Sequence, residues 1–161
     1  MISYSYLDTP VGVLLLVASE DGLREITFSK HGGRVLPKAD WQEAPAVFGE
    51  TVRQLRAYFR GELEEFEIRL APQGTEFQQR VWSELAKIPY GETVSYGELA
   101  RRIGNPKASR AVGLANGSNP IPIIIPCHRV IGANGKLTGY GGGLPVKEKL
   151  LALEKGQLRL L

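Results

Sequence analysis

The chain holds one cysteine, Cys127, one methionine and two histidines among 161 residues. A single cysteine excludes an intramolecular disulfide. With only two histidines beside it, an ordinary structural zinc site lacks ligands. No apolar run approaches the roughly 20 residues of a membrane-spanning helix. The longest early one, Val11 to Ala18, is interrupted by Gly12 and has no basic stretch before it. It therefore reads as a strand rather than a signal peptide. A large charge excess is also missing, since the formal net charge is +3. These absences point to a cytoplasmic, globular protein with no metal, no cofactor and no membrane partner, large enough for one substantial domain or two small ones.

The charge that is present is unevenly distributed. Residues 1–72 carry 8 Lys/Arg against 11 Asp/Glu, whereas residues 73–161 carry 12 against 6. A basic half attached to an acidic one directs the basic half toward a polyanion.

Ile2 to Leu7 alternates, Asp8-Thr9-Pro10 turns, Val11 to Ala18 is a strand, and Glu20-Asp21-Gly22 returns the chain through Leu23 to Phe28. Residues 30–44 lack periodicity and read as a loop. Phe48, Val52, Leu55 and Phe59 then recur at helical spacing up to Gly61, and Phe66 to Leu70 alternates as a further strand. Ala71-Pro72-Gln73-Gly74 marks a boundary between residues 1–72 and 73–161. Beyond it, Thr75 to Gln78 and Ser95 to Glu98 have the form of capping boxes opening two helices. Gly104 stops the second, and Asn105 and Pro106 suit the start of a third, over about 107–116. Pro145 opens a last helix with Val146, Leu150 and Leu153 inward, ended by Gly156. The fold class is therefore α+β: a small N-terminal sheet-plus-helix domain, then a mostly helical C-terminal domain containing a helix-turn-helix. Its second helix is rich in Ala and Gly, and Arg101, Arg102, Lys107 and Arg110 around it suit phosphates.

Chemistry concentrates in Ile123-Ile124-Ile125-Pro126-Cys127-His128-Arg129-Val130-Ile131. The isoleucines predict a buried strand that Pro126 ends, displaying Cys127 and His128. A thiol becomes a strong nucleophile beside a base, and a His oriented by a third group is the usual arrangement. Glu154, in the last turn of the final helix, sits where a carboxylate opposes the helix dipole; a histidine needing a partner explains it. Adjacent strand residues point to opposite faces, so His128 reaches the thiol only if the chain turns after Pro126 or through water. Three readings stay open on these residues: a Cys-His hydrolase, a DNA-binding regulator with an incidental cysteine, or an enzyme using its thiol on nucleic acid.

Pro126-Cys127-His128-Arg129-Val130 resembles the active-site signature of the O6-alkylguanine-DNA alkyltransferases. Its flanks do too: Ser95 to Ala100, Gly104-Asn105-Pro106, Ser109 to Gly113, Asn119-Pro120, and Gly139-Tyr140 with the glycines that follow. The similarity runs from Thr75 to Glu154; residues 1–72 match only in coarse pattern a divergent, ribonuclease H-like α+β domain. The resemblance implies direct repair of O6-alkylguanine, and of O4-alkylthymine, by one irreversible transfer to Cys127 after base flipping. In that role His128 is a water-mediated base oriented by Glu154, and Asn119 braces the turn. Tyr96 donates toward guanine N3, and the Cys127 and Val130 carbonyls accept from the exocyclic amine. Tyr140 walls the pocket and the Gly141 N–H faces O6. Arg110 enters the vacated stack, while Lys107, Ser109, Ala111 and Gly113 share its DNA-facing helix. The implied partner is double-stranded DNA containing alkylated bases, held through its minor groove by a monomer. Some members carry Ser where this chain has Gly141, and some bind zinc in the N-terminal domain through ligands absent here.

Overall fold

The computed structural model describes residues 1–30 and 33–157. Strands β1 (Ser3–Thr9), β2 (Gly12–Ser19) and β3 (Gly22–Phe28) form an antiparallel meander through two tight turns. Both turns fall where Thr9-Pro10 and Glu20-Asp21-Gly22 signal them. β2 is the middle strand of the meander, and Leu14 to Val17 are all buried. Leu14 and Leu16 enter the main core. Leu15 pairs across the sheet with Tyr6, whose hydroxyl donates to the Val35 carbonyl at 2.7 Å, so the second face is covered as well.

Residues 30–44 are not all loop: Gln42–Glu43 forms a short strand, β4, parallel to β1. Both residues are exposed, so no hydrophobic period marks it. Positions 31 and 32 of that loop lie outside the described residues. A 3-10 turn at Pro45–Phe48 leads into α1 (Gly49–Phe59), which buries Phe48, Leu55, Tyr58 and Phe59. The strand expected at Phe66–Leu70 is reduced to one bridge, Leu23 with Leu70. Leu23 takes the Arg69 carbonyl at 2.9 Å, and Gly22 (φ +138°) permits that approach because a Cβ there would lie 2.6 Å from the same carbonyl oxygen. Further along β3, the Ile26 N–H is bonded to the Pro120 carbonyl at 2.9 Å, so the C-terminal half occupies the edge instead.

Helix α2 (Glu76–Leu85) opens on the reciprocal Thr75–Gln78 capping box. A second short sheet pairs β5 (Val94–Ser95) in parallel with β6 (Val130–Ile131). Helices α3 (Tyr96–Arg102) and α4 (Ser109–Gly117) make the helix-turn-helix, and α5 (Leu144–Glu154) is the last element among the described residues. Two caps differ from expectation. Ser95 accepts from the Glu98 N–H at 3.0 Å, but the Glu98 carboxylate turns outward to Arg101 and Arg102. Asn105 does not cap α4; its carbonyl closes a turn with the Ala108 N–H, and the helix starts two residues later than predicted. Arginines one turn away outcompete the N-terminal N–H for Glu98 because an ion pair adds charge to the hydrogen bond.

Val81, Trp82 and Leu85 of α2 are buried against the rest, and the Trp82 indole N–H donates to the Ala115 carbonyl at 2.8 Å. One continuous core joins the two halves. Among the described residues no helix is long and apolar enough to cross a membrane.

Candidate active site

The run expected to be a strand is a turn. Ile123 has φ +75°, a left-handed conformation that β-branched residues rarely adopt and that costs on the order of 1–3 kcal/mol. Asn119 imposes it from both ends: its Nδ2 donates to the Ile125 carbonyl at 2.7 Å and its Oδ1 accepts from the Ile121 N–H at 3.0 Å. The isoleucine side chains still serve the core, since Ile121, Ile123 and Ile125 are buried. β-Branched composition reported burial correctly and backbone geometry wrongly. Cys127–Arg129 then form one turn of 3-10 helix before β6. With three residues per turn, neighbouring side chains diverge by about a third of a circle rather than half. The opposite-face obstacle between Cys127 and His128 is thereby removed.

Glu154 is the electrostatic centre. Its carboxylate accepts from the Tyr58 hydroxyl at 2.6 Å, pairs with His128 Nε2 at 2.6 Å, and takes Arg129 Nε and Nη2 at 2.7 and 3.1 Å. Arg129 Nη1 is fixed on the Ile88 carbonyl at 2.6 Å. Burial alone would raise the Glu154 carboxyl; hydrogen bonds and charge from His128 and Arg129 outweigh it and hold the group at about 2. For His128, fully buried, desolvation prevails over the attraction of Glu154 and lowers its pKa. The imidazole is therefore neutral near pH 7. With Nε2 donating to Glu154, the lone pair lies on Nδ1, which is buried and has no partner among the described residues.

Cys127 is 5% exposed, and burial pushes its thiol up to about 11 against the smaller opposing effects of Asn119, Lys147 and Tyr140. A thiol so raised is protonated at neutral pH and needs a base at the moment of attack. The Tyr140 hydroxyl lies close enough to favour the thiolate but completes no conventional hydrogen bond among the described residues. Tyr140 itself rests edge-on against Phe28 of β3, ring centres 5.7 Å apart. Gly142 allows this, as a Cβ there would meet the Phe28 ring at 3.1 Å. A cavity of about 230 Å³ opens beside Cys127, bounded by Asn116, Pro122, Tyr140 and Gly141 on one side and Ile26 to Phe28 on the other.

Of the other predicted residues, Val130 is buried, and its carbonyl accepts from Lys147 Nζ at 2.7 Å. The Tyr96 hydroxyl meets the Thr138 hydroxyl at 2.5 Å. On α4, Arg110 and Ala111 are exposed, Ser109 and Gly113 half-buried, and Lys107 stands exposed just before the helix. Arg101 and Arg102 are exposed as well, and both pair with Glu98. Among the described residues no group of His, Cys, Asp and Glu could hold a metal ion.

Four participants escaped the sequence reading: Tyr58, Asn116, Arg129 and Lys147. Arg129 lay inside the motif and Tyr58 in an apolar helix far away in sequence. Lys147 carried a usable signal. It precedes Leu150, Leu151 and Glu154 by three, four and seven residues, which places a lysine and a glutamate on the buried stripe of α5. Its ammonium is buried, donates to the Val130 and Thr138 carbonyls, and has its pKa lowered by desolvation.

Two family models cover the chain. The 6-O-methylguanine DNA methyltransferase ribonuclease-like domain matches residues 2–72, and the DNA binding domain of the same family matches 76–156. A methylated-DNA–protein-cysteine methyltransferase of Methanosarcina acetivorans is 58% identical over 94% of this chain and 97% of that relative. The solved Mycobacterium tuberculosis O6-methylguanine methyltransferase superposes with a TM-score of 0.90 at 53% identity, covering 98% of this chain and 95% of that one. The Mycobacterium tuberculosis OGT in complex with DNA gives 0.88 at 53% identity, over 96% and 94%. This chain belongs to the 6-O-methylguanine DNA methyltransferase family.

Proposed function

We propose that Cys127 takes the alkyl group directly from O6 of guanine in double-stranded DNA, once per protein molecule. Transfer from O6-alkylguanine to a cysteine is the reaction of the family, and Cys127 is the chain's only cysteine. The observation that carries the residue roles is the buried Glu154–His128 pair, whose histidine follows Cys127 directly in the chain. His128 Nδ1 accepts the thiol proton through a water, and Glu154 stabilises the imidazolium that forms. The sulfur attacks the sp³ carbon attached to O6. The S–C bond forms as the C–O bond breaks, and the electron pair leaves with the base. Tyr96, freed from Thr138, donates its proton toward N3, while the Gly141 N–H faces O6. The product is a thioether with no carbonyl for water to attack, so the protein is a stoichiometric acceptor.

The target carbon is inaccessible inside a duplex, so the nucleotide is extruded. Arg110, exposed on α4, fills the gap in the stack. The small residues Ala111 and Gly113 bring the helix into the minor groove, and Lys107 meets phosphate. Binding is by a monomer, and O4-alkylthymine is a second substrate. After incubation with O6-methylguanine duplex, the peptide containing Cys127 should gain one methylene in mass. An unmodified Cys127 in protein that is bound to the lesion would overturn the proposal. Cys127→Ser should abolish transfer and keep lesion binding. Arg110→Ala should slow transfer from duplex far more than from free O6-benzylguanine; equal losses would remove the finger role.

A further inference from the structure

We infer that Asn116 is a base-reading residue whose side-chain carbonyl accepts a hydrogen bond from the exocyclic amine of the bound guanine, distinguishing it from thymine. The inference rests on the O6-alkylguanine reading above and adds a specificity residue to it.

Asn116 sits in the last turn of α4, 5% exposed, and lines the cavity beside Cys127. Its Nδ2 points to the Cys127 carbonyl at 3.4 Å, and its Oδ1 is shielded from solvent with no donor among the described residues. Exchanging the two amide atoms would set oxygen against oxygen, so the orientation follows from the neighbouring carbonyl. A buried amide oxygen left without a donor is destabilising, and such an atom in a folded protein calls for an explanation. The residue that carries this orphan lines, with Cys127, the pocket that must receive the base.

The chemistry of the base narrows what can satisfy it. Once O6 carries an alkyl group, guanine N1 has no proton, and the exocyclic amine holds the only N–H donors on the ring edge. O4-alkylthymine has lost its N3 proton and offers no N–H donor at all. Acceptors in the pocket therefore favour the purine. The Val130 carbonyl is already bonded at 2.7 Å to the Lys147 ammonium. The Cys127 carbonyl accepts from the Val130 N–H and is contacted by Asn116 Nδ2 at 3.4 Å, whereas Asn116 Oδ1 has no donor among the described residues. The amide of Asn116 thus touches one backbone acceptor and adds an unpaired acceptor of its own. Its neighbour in the cavity wall, Asn119, is spent on the Ile123 turn and cannot share the task.

The test compares O6-benzylguanine with O6-benzylhypoxanthine, which lacks the amine, and O6-methylguanine with O4-methylthymine in duplex DNA. Second-order transfer rates are measured for the unaltered protein and Asn116→Leu. The unaltered protein should react about tenfold faster, or more, with the amine-bearing benzyl substrate, the worth of one hydrogen bond. Asn116→Leu should lose that advantage and slow on O6-methylguanine by a similar factor, with O4-methylthymine changed less than threefold. Equal losses on both bases, or an advantage retained by the variant, overturn the role. If the variant does not fold, the unaltered protein decides: equal rates with and without the amine overturn the inference. Absence of transfer from every alkylated base would instead refute the repair reaction itself.

Discussion

Both halves of the chain pair charges on the surface, and among the described residues only the C-terminal half also buries them. In the N-terminal half the side-chain ion pairs are on the surface: Arg53–Glu50 is about two-thirds exposed on both sides, and Arg60–Glu62 is half open to water. In the C-terminal half His128, Arg129 and Glu154 form a pair of contacts sealed from solvent. Coulomb attraction is weak in water and strong where water is excluded, but burying charge has a desolvation cost that only close pairing offsets. The surface pairs are therefore close to neutral for stability. The buried set is retained because it fixes the protonation of one histidine beside one thiol. A depressed carboxyl occurs in both halves, Glu50 and Glu154 each at about 2, and only the buried one belongs to the site. Burial with several convergent donors separates them; the shift does not.

The comparison breaks most severely at Glu154. Glu154→Gln leaves the Arg129 guanidinium buried without its counter-charge and should destabilise the protein by about 3–5 kcal/mol in urea unfolding. Tyr58→Phe removes one bond to a charged acceptor and should reduce stability by about 1.5–3 kcal/mol, although Tyr58 lies in the half that holds no reacting group. A loss of stability confined to C-terminal substitutions would contradict this coupling. Lys147→Met should reduce stability by about 1 kcal/mol through the Val130 carbonyl. Its transfer rate should fall about tenfold, because the Cys127 thiolate loses a nearby cation.

Acid should expose the same asymmetry. His128 is lowered in the folded state, so below its ordinary value near 6.5 the unfolded chain binds a proton that the folded chain resists. Its contribution is complete above that value and is lost as pH falls. Glu154 adds a second loss between about 4.5 and 2. Unfolding free energy measured from pH 8 to 4 should therefore decline from about pH 6.5 downward, and a flat profile would mean that His128 is solvated. At the small end, Glu50→Ala should leave the urea midpoint unchanged, since its carboxylate pairs in open water.

Much of this was legible in residues. Alternation marked β1, an apolar run β2 and the Glu20-Asp21-Gly22 turn β3, Thr75 and Gln78 marked the entry to α2, and Pro126-Cys127-His128 marked the nucleophile. What misled was composition read without its hydrogen bonds. Three isoleucines argue for a strand, yet Asn119, four residues earlier than Ile123, holds the chain in a turn. The dipole mismatch at Glu154 pointed to a cationic or imidazole partner, and His128 with Arg129 met it. Tyr58 could not be read, because nothing local to α1 shows which distant side chain its hydroxyl will find. Lys147 could have been, as a charge on an apolar stripe.

The Tyr58–Glu154 bond joins residues 96 positions apart, and Glu154 closes the last helix. Long-range contacts form late because chain entropy must be lost before they repay it. A ribosome delivers Tyr58 and Cys127 well before the residue that orients His128. Until α5 docks, the imidazole has no carboxylate and the sulfur no assembled base. The base that takes the proton from Cys127 is thus assembled only when the end of the chain has folded into place.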